Sequence, residues 1–163
     1  MKVLVACEFS GVVRDAFIER GHDAVSCDLI QSERHGPHIV GDVSNHLGDG
    51  WDLLIAHPPC TYLANSGVSW LVRGGVVNRT RWELMVSAAR FFQKLWLCDI
   101  ERVCIENPVM HKHAKHAAGI AYCYDTSEYK QIIHPWMFGH PESKATCLWL
   151  RNLPKLKETN NVY

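Results

Sequence analysis

Short, continuous apolar segments alternate with amphipathic segments of helical periodicity along most of the chain, and this alternation restricts the fold more than any other feature. Continuous apolar strands are typical of parallel sheets that are buried on both faces, and parallel strands need a crossover, usually a helix, between them. The pattern therefore predicts an α/β domain with a mostly parallel sheet and helices on both faces. The predicted strands span residues 2–7, 23–28, 38–41, 52–57, 102–106, 130–134 and 145–150.

Helices are predicted between several of these strands. The first spans residues 12–20 and ends at Gly21, since glycine commonly follows a helix end. The clearest spans residues 81–97, where apolar residues recur at intervals of three and four. A shorter helix is predicted over 111–118. Residues 136–143, between the last two strands, are rich in turn formers. Those two strands are therefore predicted to form an antiparallel hairpin at one edge of a seven-stranded sheet.

The composition limits the possible classes of protein. A chain of 163 residues with no net charge is expected to form one domain over residues 1–163, and any surface for nucleic acid must be local. No run of about 18 apolar residues occurs, so we expect no membrane span. The opening segment, residues 1–11 (MKVLVACEFSG), is predicted to be the first strand rather than a signal peptide.

The seven cysteines indicate a reducing compartment. Their number is odd, no CxxC pair occurs, and several lie within predicted strands. This usage is typical of reduced thiols in a cytoplasmic protein rather than of a disulfide framework. Cys7, Cys27, Cys104 and Cys147 are predicted to be small core residues. Cys60 differs, because it follows two prolines outside a strand.

Two motifs follow strands directly: residues 56–60 (AHPPC) and 105–108 (IENP). A strand that meets Pro-Pro cannot continue its hydrogen-bonded ladder, so the chain must turn there. Open α/β sheets place their ligands at the carboxyl ends of strands. We therefore predict Cys60 and Glu106 at neighbouring strand ends. A thiol and a carboxyl together suit attack on an electron-poor ring whose polar edge is held in place.

Taken together, six short motifs resemble those of the DNA cytosine-5 methyltransferases, in the family's order and over nearly the whole chain. They are residues 9–11 (FSG) after the first strand, Asp28 at the end of the second, 41–43 (GDV), 59–61 (PCT) with Ser66-Gly67 behind it, 106–108 (ENP), and, more weakly, 139–146 (GHPESKAT).

The resemblance implies a Rossmann-like S-adenosylmethionine methyltransferase fold with a seven-stranded sheet, and methylation of cytosine at C5. It also suggests a small, phage-like form of the family. The residues expected to bind S-adenosylmethionine are Phe9, Ser10, Gly11, Asp28, Asp42 and Pro59. The residues expected to act in catalysis are Cys60, Glu106, Asn107 and Lys144. No metal is expected.

In the mechanism that the resemblance implies, Cys60 adds to C6 of cytosine and makes C5 nucleophilic enough to take a methyl group. Glu106, carrying a proton, would hold N3 and the 4-amino group. Asn107 would orient the nucleophile loop, and Lys144 would lie near a phosphate or the ring carbonyl.

Some positions depart from the family pattern. Val13 and Arg14 follow Phe-Ser-Gly where the family usually has more glycine, and Thr61 replaces the glutamine after the nucleophile. Thr146 replaces the second arginine of the late motif. The short tail after residue 150 is expected to leave no room for the family's target-recognition domain, so recognition could require a separate subunit or a second copy of the chain.

The substrate is expected to be a cytosine outside a duplex: flipped out of DNA, in a single strand, or in a free nucleotide. Residues 66–79 (SGVSWLVRGGVVNR) are predicted to form a lid, with Trp70 available to stack or wedge.

Three other interpretations stay open. Residues 57–60 (HPPC) also resemble the Asp/Asn-Pro-Pro-aromatic motif of amino-methyltransferases, although Cys60 supplies no ring. His111, His113 and His116 with Cys123 could bind a metal, but their spacing does not place all three histidines on one helix face. The chain could also be a degenerate methyltransferase that binds cofactor or DNA without turnover.

Overall fold

A computed structural model describes residues 1–68, 70–107, 109–119 and 130–163. Ser69 of the predicted lid, Pro108 of the second motif and Cys123 of the metal alternative lie outside the described residues. The strands are β1 (Lys2–Ala6), β2 (Asp23–Asp28), β3 (His38–Val40), β4 (Leu53–Ala56), β5 (Val72–Arg73), β6 (Val76–Val77), β7 (Arg102–Asn107), β8 (Lys130–Ile133) and β9 (Thr146–Arg151). The helices are α1 (Val12–Ile18), α2 (Asn65–Val68), α3 (Arg79–Trp96) and α4 (Lys112–Ala117), with 3₁₀ turns at Val43–Asn45 and Pro135–Met137.

The main sheet has seven strands in the order β3-β2-β1-β4-β7-β9-β8. The first five in this order are parallel, and β9 is antiparallel to both β7 and β8. The predicted α/β class, the mostly parallel sheet and the terminal hairpin are confirmed, and each predicted strand agrees within one residue at either end. Because β9 inserts between β7 and β8, the hairpin extends the sheet beside the strand that carries Glu106.

Helices cover both faces of the sheet, as predicted. Side chains alternate along β1, so Val3 and Val5 pack on one face, where the partly buried Val13 and Phe17 of α1 meet them. Leu4 and Ala6 face the other way, into the larger core beneath α3.

Helix α3 provides the largest part of that core. It buries Met85, Ala89, Phe92, Leu95 and Trp96. Phe92 and Trp96 both meet the ring of Trp149 edge-on, at centroid distances of 5.3 and 6.2 Å. The helix begins two residues earlier than predicted, because the side chain of Asn78 accepts a hydrogen bond from the Arg81 N–H and so caps its first turn.

The predicted lid contains regular structure that its sequence did not lead us to expect. Residues 65–68 form α2, and β5 and β6 pair as a hairpin around Gly74-Gly75. Both glycines have positive φ (57° and 79°), which a two-residue hairpin turn of type I′ requires. Trp70, Val72, Val76 and Val77 are exposed in this region. Whether the segment closes over a ligand stays a prediction.

Arg14, one of the departures from the family pattern, is fully buried beneath the loop that follows β2. Its guanidinium donates to the Asp15 carboxylate (2.8 Å), to the hydroxyls of Ser26 and Ser32, and to the backbone carbonyls of Arg34 and His35. One buried cation therefore ties α1 to β2 and to the loop beyond it.

Two glycines make room for this guanidinium. A Cβ on Gly11 would lie 2.6 Å from Arg14 Nη2, and one on Gly36 would lie 2.8 Å from it. Both glycines also have positive φ (72° and 147°), which side-chain-bearing residues rarely adopt. Gly11 therefore serves the packing of Arg14.

Within the described residues, no helix is both long and apolar enough to cross a membrane.

Arg14→Ala is expected to lower the free energy of unfolding by about 3 kcal/mol, because it leaves buried acceptors without their donor. Urea unfolding measures the change. Arg20→Ala is the matched control: Arg20 is an exposed arginine just after α1 that donates to the Ala16 carbonyl. Its loss should change stability by no more than about 0.5 kcal/mol. Equal effects of the two substitutions would contradict the role assigned to Arg14.

Candidate active site

The candidate site lies where the parallel strands end. In the sheet, Ala6 pairs with Ala56, and Ala56 pairs with Ile105. The next residues along the chain are Cys7, His57 and Glu106. The register therefore places a thiol, an imidazole and a carboxyl at neighbouring positions. The carboxyl ends of parallel strands lie on the same side of the sheet, which is where such folds bind ligands.

A cavity of about 260 Å³ opens beside the ends of β1, β2 and β3. Three of the predicted cofactor residues line it, Asp28, Asp42 and Pro59, together with the apolar side chains of Leu29, Val43 and Phe91 and the thiols of Cys7 and Cys27. Two carboxylates beside an apolar wall suit a ligand that has hydroxyl groups and a flat ring.

Asp42 is held by the turn that follows it. Its Oδ1 accepts a hydrogen bond from the Ser44 N–H at 2.8 Å, which starts the 3₁₀ turn. The hydrogen bonds from the backbone and side chain of Ser44 lower the pKa of Asp42, so its carboxylate is charged at neutral pH. Asp28 receives a longer bond from the Ile30 N–H, at 3.3 Å.

Phe9 and Ser10 line a different cavity of about 250 Å³, together with Cys7, Glu8, Val13 and His57. Cys7 borders both cavities, so they are neighbours. The structure therefore divides the predicted cofactor residues between two adjoining spaces. Gly11 borders neither of them, because it packs against Arg14.

Glu8 is a site residue that the sequence analysis missed. It is buried, and its carboxylate accepts hydrogen bonds from the N–H groups of Val13 (2.6 Å) and Arg14 (3.2 Å) and from the Ser10 hydroxyl (3.1 Å). A carboxylate thus already satisfies the first N–H groups of α1, where dinucleotide-binding folds place a pyrophosphate. The available signal was an acidic residue between an apolar strand and a helix start.

Cys60 lies on an exposed loop after Pro58-Pro59. Its carbonyl accepts from the N–H groups of Leu63 and Ala64, which closes a turn just behind the thiol. Ala64 also forms a β-bridge with Met110. These contacts join the nucleophile loop to the segment that follows β7.

Asn107 adds a side-chain link between the same two regions. It is fully buried, and its Nδ2 donates to the Pro58 carbonyl at 3.4 Å, while its Oδ1 is buried without a partner. Asn107 therefore contacts the loop that it was predicted to orient, and the role itself stays a prediction.

Glu106 is 35% exposed at its side chain, and its Oε2 lies 3.7 Å from Nδ1 of His57. The sequence analysis treated His57 only as part of an alternative motif. Lys144 is exposed and lies just before β9, whose Cys147 pairs with Asn107. Within the described residues, Lys144 forms no hydrogen bond or ion pair with Glu106, so its predicted role stays a prediction.

Four other cysteines are partly or fully buried, whereas Cys60 is exposed. Burial, followed by the charge of Asp28, raises the pKa of Cys7 to about 12 and that of Cys27 to about 11. Burial also raises the pKa of Cys104 to about 12 and raises that of Cys147. These four remain neutral thiols at pH 7. Of the six cysteines in the described residues, Cys60 is the exposed one.

Cys7 does not match the prediction of a simple core residue. It is partly exposed, borders both cavities and has a positive φ of 58°. A non-glycine residue in this conformation marks a turn that its surroundings impose.

The histidines of the metal alternative have local roles at α4. Nδ1 of His111 accepts from the His113 N–H at 3.1 Å and caps the helix. Burial and the neighbouring His113 and lysines lower the pKa of His111. Among the described residues, no group of three or more His, Cys, Asp or Glu side chains could hold a metal ion.

Comparisons with known proteins identify the fold. No protein-family model matches the chain, and a search of curated proteins found no match. Among solved structures, the chain is similar to the Entamoeba histolytica methyltransferase EhMeth, with a TM-score of 0.59 and 15% identity over 99% of this chain and 57% of that one.

Two further structures are similar. The S. pombe Dnmt2 methyltransferase has a TM-score of 0.54 and 16% identity over 98% of this chain and 52% of that one. A candidate DNA modification methyltransferase encoded within an E. coli prophage has a TM-score of 0.53 and 16% identity over 92% of this chain and 46% of that one. The chain thus spans about half the length of the structures it matches. At this level of identity the similarity concerns the fold, and it shows that this chain has the Rossmann-like fold of methyltransferases.

Gly67→Ala is expected to displace the nucleophile loop, because a Cβ at this position would lie 1.8 Å from the Thr61 carbonyl oxygen. We expect a loss of about 1–3 kcal/mol in unfolding free energy, as for overpacked sites. Hydrogen exchange should also be faster at the Leu63 and Ala64 amides. Gly48→Ala is the control, since no heavy atom lies within 4 Å of its added Cβ. Unchanged exchange in Gly67→Ala would contradict the close packing of this loop.

Proposed function

We propose that this protein is an S-adenosylmethionine-dependent methyltransferase that methylates C5 of cytosine through a covalent bond between Cys60 and C6. One observation carries the proposal. The bond from Asn107 to the Pro58 carbonyl joins the strand end that presents Glu106 to the loop that presents Cys60. A nucleophile and a carboxyl linked in this way can act on two positions of one pyrimidine ring.

The residues beside the cavities fit the proposed cofactor. Asp28 can accept hydrogen bonds from ribose hydroxyls, and Asp42 can accept one from the adenine amino group, while Val43 and Phe91 offer an apolar surface to the adenine ring. The neighbouring cavity at Phe9 would receive the methionine end. When bound, S-adenosylmethionine supplies a methyl group from its sulfonium centre.

The charges near the cavities favour this cofactor over a dinucleotide. Glu8 already occupies the N–H groups of α1 that a pyrophosphate would use. Its carboxylate, with those of Asp28 and Asp42, forms an acidic surrounding that suits a cationic sulfonium and disfavours phosphate.

In this proposal Cys60 attacks C6 as the thiolate, which is the nucleophilic form of cysteine. Glu106 donates a proton at N3, so that the adduct carries no full negative charge on the ring. Asn107 holds the two loops in register. After methyl transfer, loss of the C5 proton and departure of the thiolate restore the ring and the enzyme.

The proposed substrate is a cytosine outside the base stack, most simply in DNA. An exposed thiol at a strand end cannot reach C6 edge-on within a duplex, so the base must be flipped out or single-stranded. Arg81, near the nucleophile loop, donates to the Gly67 carbonyl at 3.0 Å and packs over Tyr62. Origin in a phage, location in the cytoplasm and recognition by a second subunit or copy remain part of the proposal.

Asp28→Ala should weaken binding of S-adenosylmethionine by about 10- to 100-fold, which corresponds to the loss of a charge-assisted hydrogen bond. Titration calorimetry measures the change. Asp23→Ala removes an equal charge at the other end of β2, where the side chain is exposed, and should leave affinity unchanged. Absence of any binding by the unaltered protein would rule out this cofactor.

A second test traps the covalent intermediate. Single-stranded DNA containing 5-fluorocytosine should form a stable adduct with the protein in the presence of S-adenosylmethionine, because fluorine cannot leave as a proton. Cys60→Ser should abolish the adduct, and Glu106→Gln should slow it while cofactor affinity is retained. Cys98→Ser, at a partly exposed cysteine outside the site, is the control and should still form it. A protein that methylates without trapping would be an amino-methyltransferase, and one that does neither would be a degenerate binder.

A further inference from the structure

His57 lies between Glu106 and the cavity that Phe9 and Ser10 line. Its backbone N–H donates to the Ala6 carbonyl at 3.0 Å, which fixes the residue beside the end of β1. Its Nδ1 lies 3.7 Å from Oε2 of Glu106, and its Nε2 is buried without a hydrogen-bond partner. The same imidazole borders the cavity that Phe9 and Ser10 line.

We propose that His57 is a positioning residue that supplies the proton Glu106 must carry to act at N3. This inference rests on the proposed function, since it concerns the same carboxyl. An imidazole can hold a proton at neutral pH that an exposed carboxylate would otherwise lose. A separation of 3.7 Å is longer than a hydrogen bond, and such catalytic contacts often tighten when substrate binds.

Of the groups around His57, Glu106 is the one that is placed to exchange a proton with it. Glu8 is the other carboxylate beside this cavity, but its oxygens already accept from Val13, Arg14 and Ser10. Cys7, also beside the ring, stays a neutral thiol because burial raises its pKa to about 12. Among the described residues that face His57 from the ends of β1 and β7, the Glu106 carboxylate is the one that is free of such bonds and within 4 Å of Nδ1.

The solvent exposure of His57 and Glu106 also favours proton exchange through Nδ1 of His57. The side chains of His57 and Glu106 are 30% and 35% exposed, whereas Nε2 is shielded. A proton can therefore reach the pair from solvent on the side where the substrate would bind. The side chain is not needed to hold the backbone, because the bond from the His57 N–H to Ala6 would survive most substitutions.

The proton balance of the step is simple. The Cys60 thiolate forms the S–C6 bond, the displaced electron pair is delocalised onto N3, and N3 takes a proton from Glu106 that His57 had supplied. C5 then bonds to the methyl group as the bond from that methyl to the sulfonium sulfur breaks and leaves a neutral thioether, and the C5 proton leaves to water. The C5–C6 double bond reforms as the thiolate departs, and the N3 proton returns to Glu106 and His57.

The test is the rate of 5-fluorocytosine adduct formation between pH 5.5 and 9 in the intact protein and in His57→Gln. We expect the variant to be slower by about 10- to 100-fold at pH 6, where an imidazole ordinarily carries a proton, in the range of general acid catalysis. The difference should shrink to about threefold or less at pH 9, where an imidazole has lost the proton that it could pass on. His22→Gln is the matched control, since His22 lies just before β2, at the ends of the strands opposite the site, where its ring contacts Phe17. Its profile should equal that of the intact protein.

A double variant adds a readout that a structural role would not affect. Glu106→Gln combined with His57→Gln should be no slower than Glu106→Gln alone, because His57 acts through Glu106. An unchanged profile in His57→Gln, or an equal loss at every pH, would overturn the proposal; His57→Asn provides the same test if the glutamine variant does not fold. If the intact protein forms no adduct at any pH, the proposed function itself fails and this inference fails with it.

Discussion

Parallel pairing of β4 with β1 on one side and β7 on the other determines where the chemistry of this protein can occur. The register pairs Ala6 with Ala56 and Ala56 with Ile105, so β1 and β4 stop at the same level, while β7 continues through Glu106 to Asn107. The prolines after His57 then force the chain to turn, which leaves Cys60 on a loop above the sheet edge. Without this alignment, neither the cavities nor the link between Asn107 and Pro58 could form.

The two buried charged groups near α1 support this edge in different ways. Arg14 draws the loop after β2 onto α1, and this loop begins directly after Asp28. Glu8 satisfies the first N–H groups of the helix from below. Buried charges are costly unless they are paired and hydrogen-bonded, and both groups are fully provided with partners. Arg14 and Glu8 thus help to form the border of the two cavities. The negative charge of Glu8 at that border affects which cofactor can bind.

Much of the fold could be predicted from local patterns. The apolar runs located all seven strands of the main sheet, and the periodicity from Met85 to Trp96 located the main helix. Both signals depend on neighbours close in sequence. The start of that helix was missed because the cap at Asn78 depends on one side-chain bond. The β5–β6 hairpin was missed although Gly74-Gly75 is a recognised turn signal, because its strands are only two residues long.

The candidate site was less predictable, since its contacts join distant parts of the chain. The motifs indicated Cys60 and Glu106, yet the partners of Arg14 lie up to 21 residues away and those of Asn107 lie 49 away. No local pattern indicates that a charged side chain such as Arg14 will be buried, or that Gly11 will pack against it rather than border a cavity. The position of His57 beside Glu106 also follows from the sheet register, which a sequence suggests but does not measure.

The central claim is that Cys60 directs methylation to C5 of cytosine. The most direct measurement is to incubate the protein with labelled S-adenosylmethionine and a panel of single-stranded DNA, duplex DNA, RNA and free nucleotides, and to identify any methylated base by mass spectrometry. We expect 5-methylcytosine, most abundant in a substrate whose cytosine is unstacked, and none with Cys60→Ala. A product methylated on an exocyclic nitrogen, or 5-methylcytosine that persists in Cys60→Ala, would contradict it.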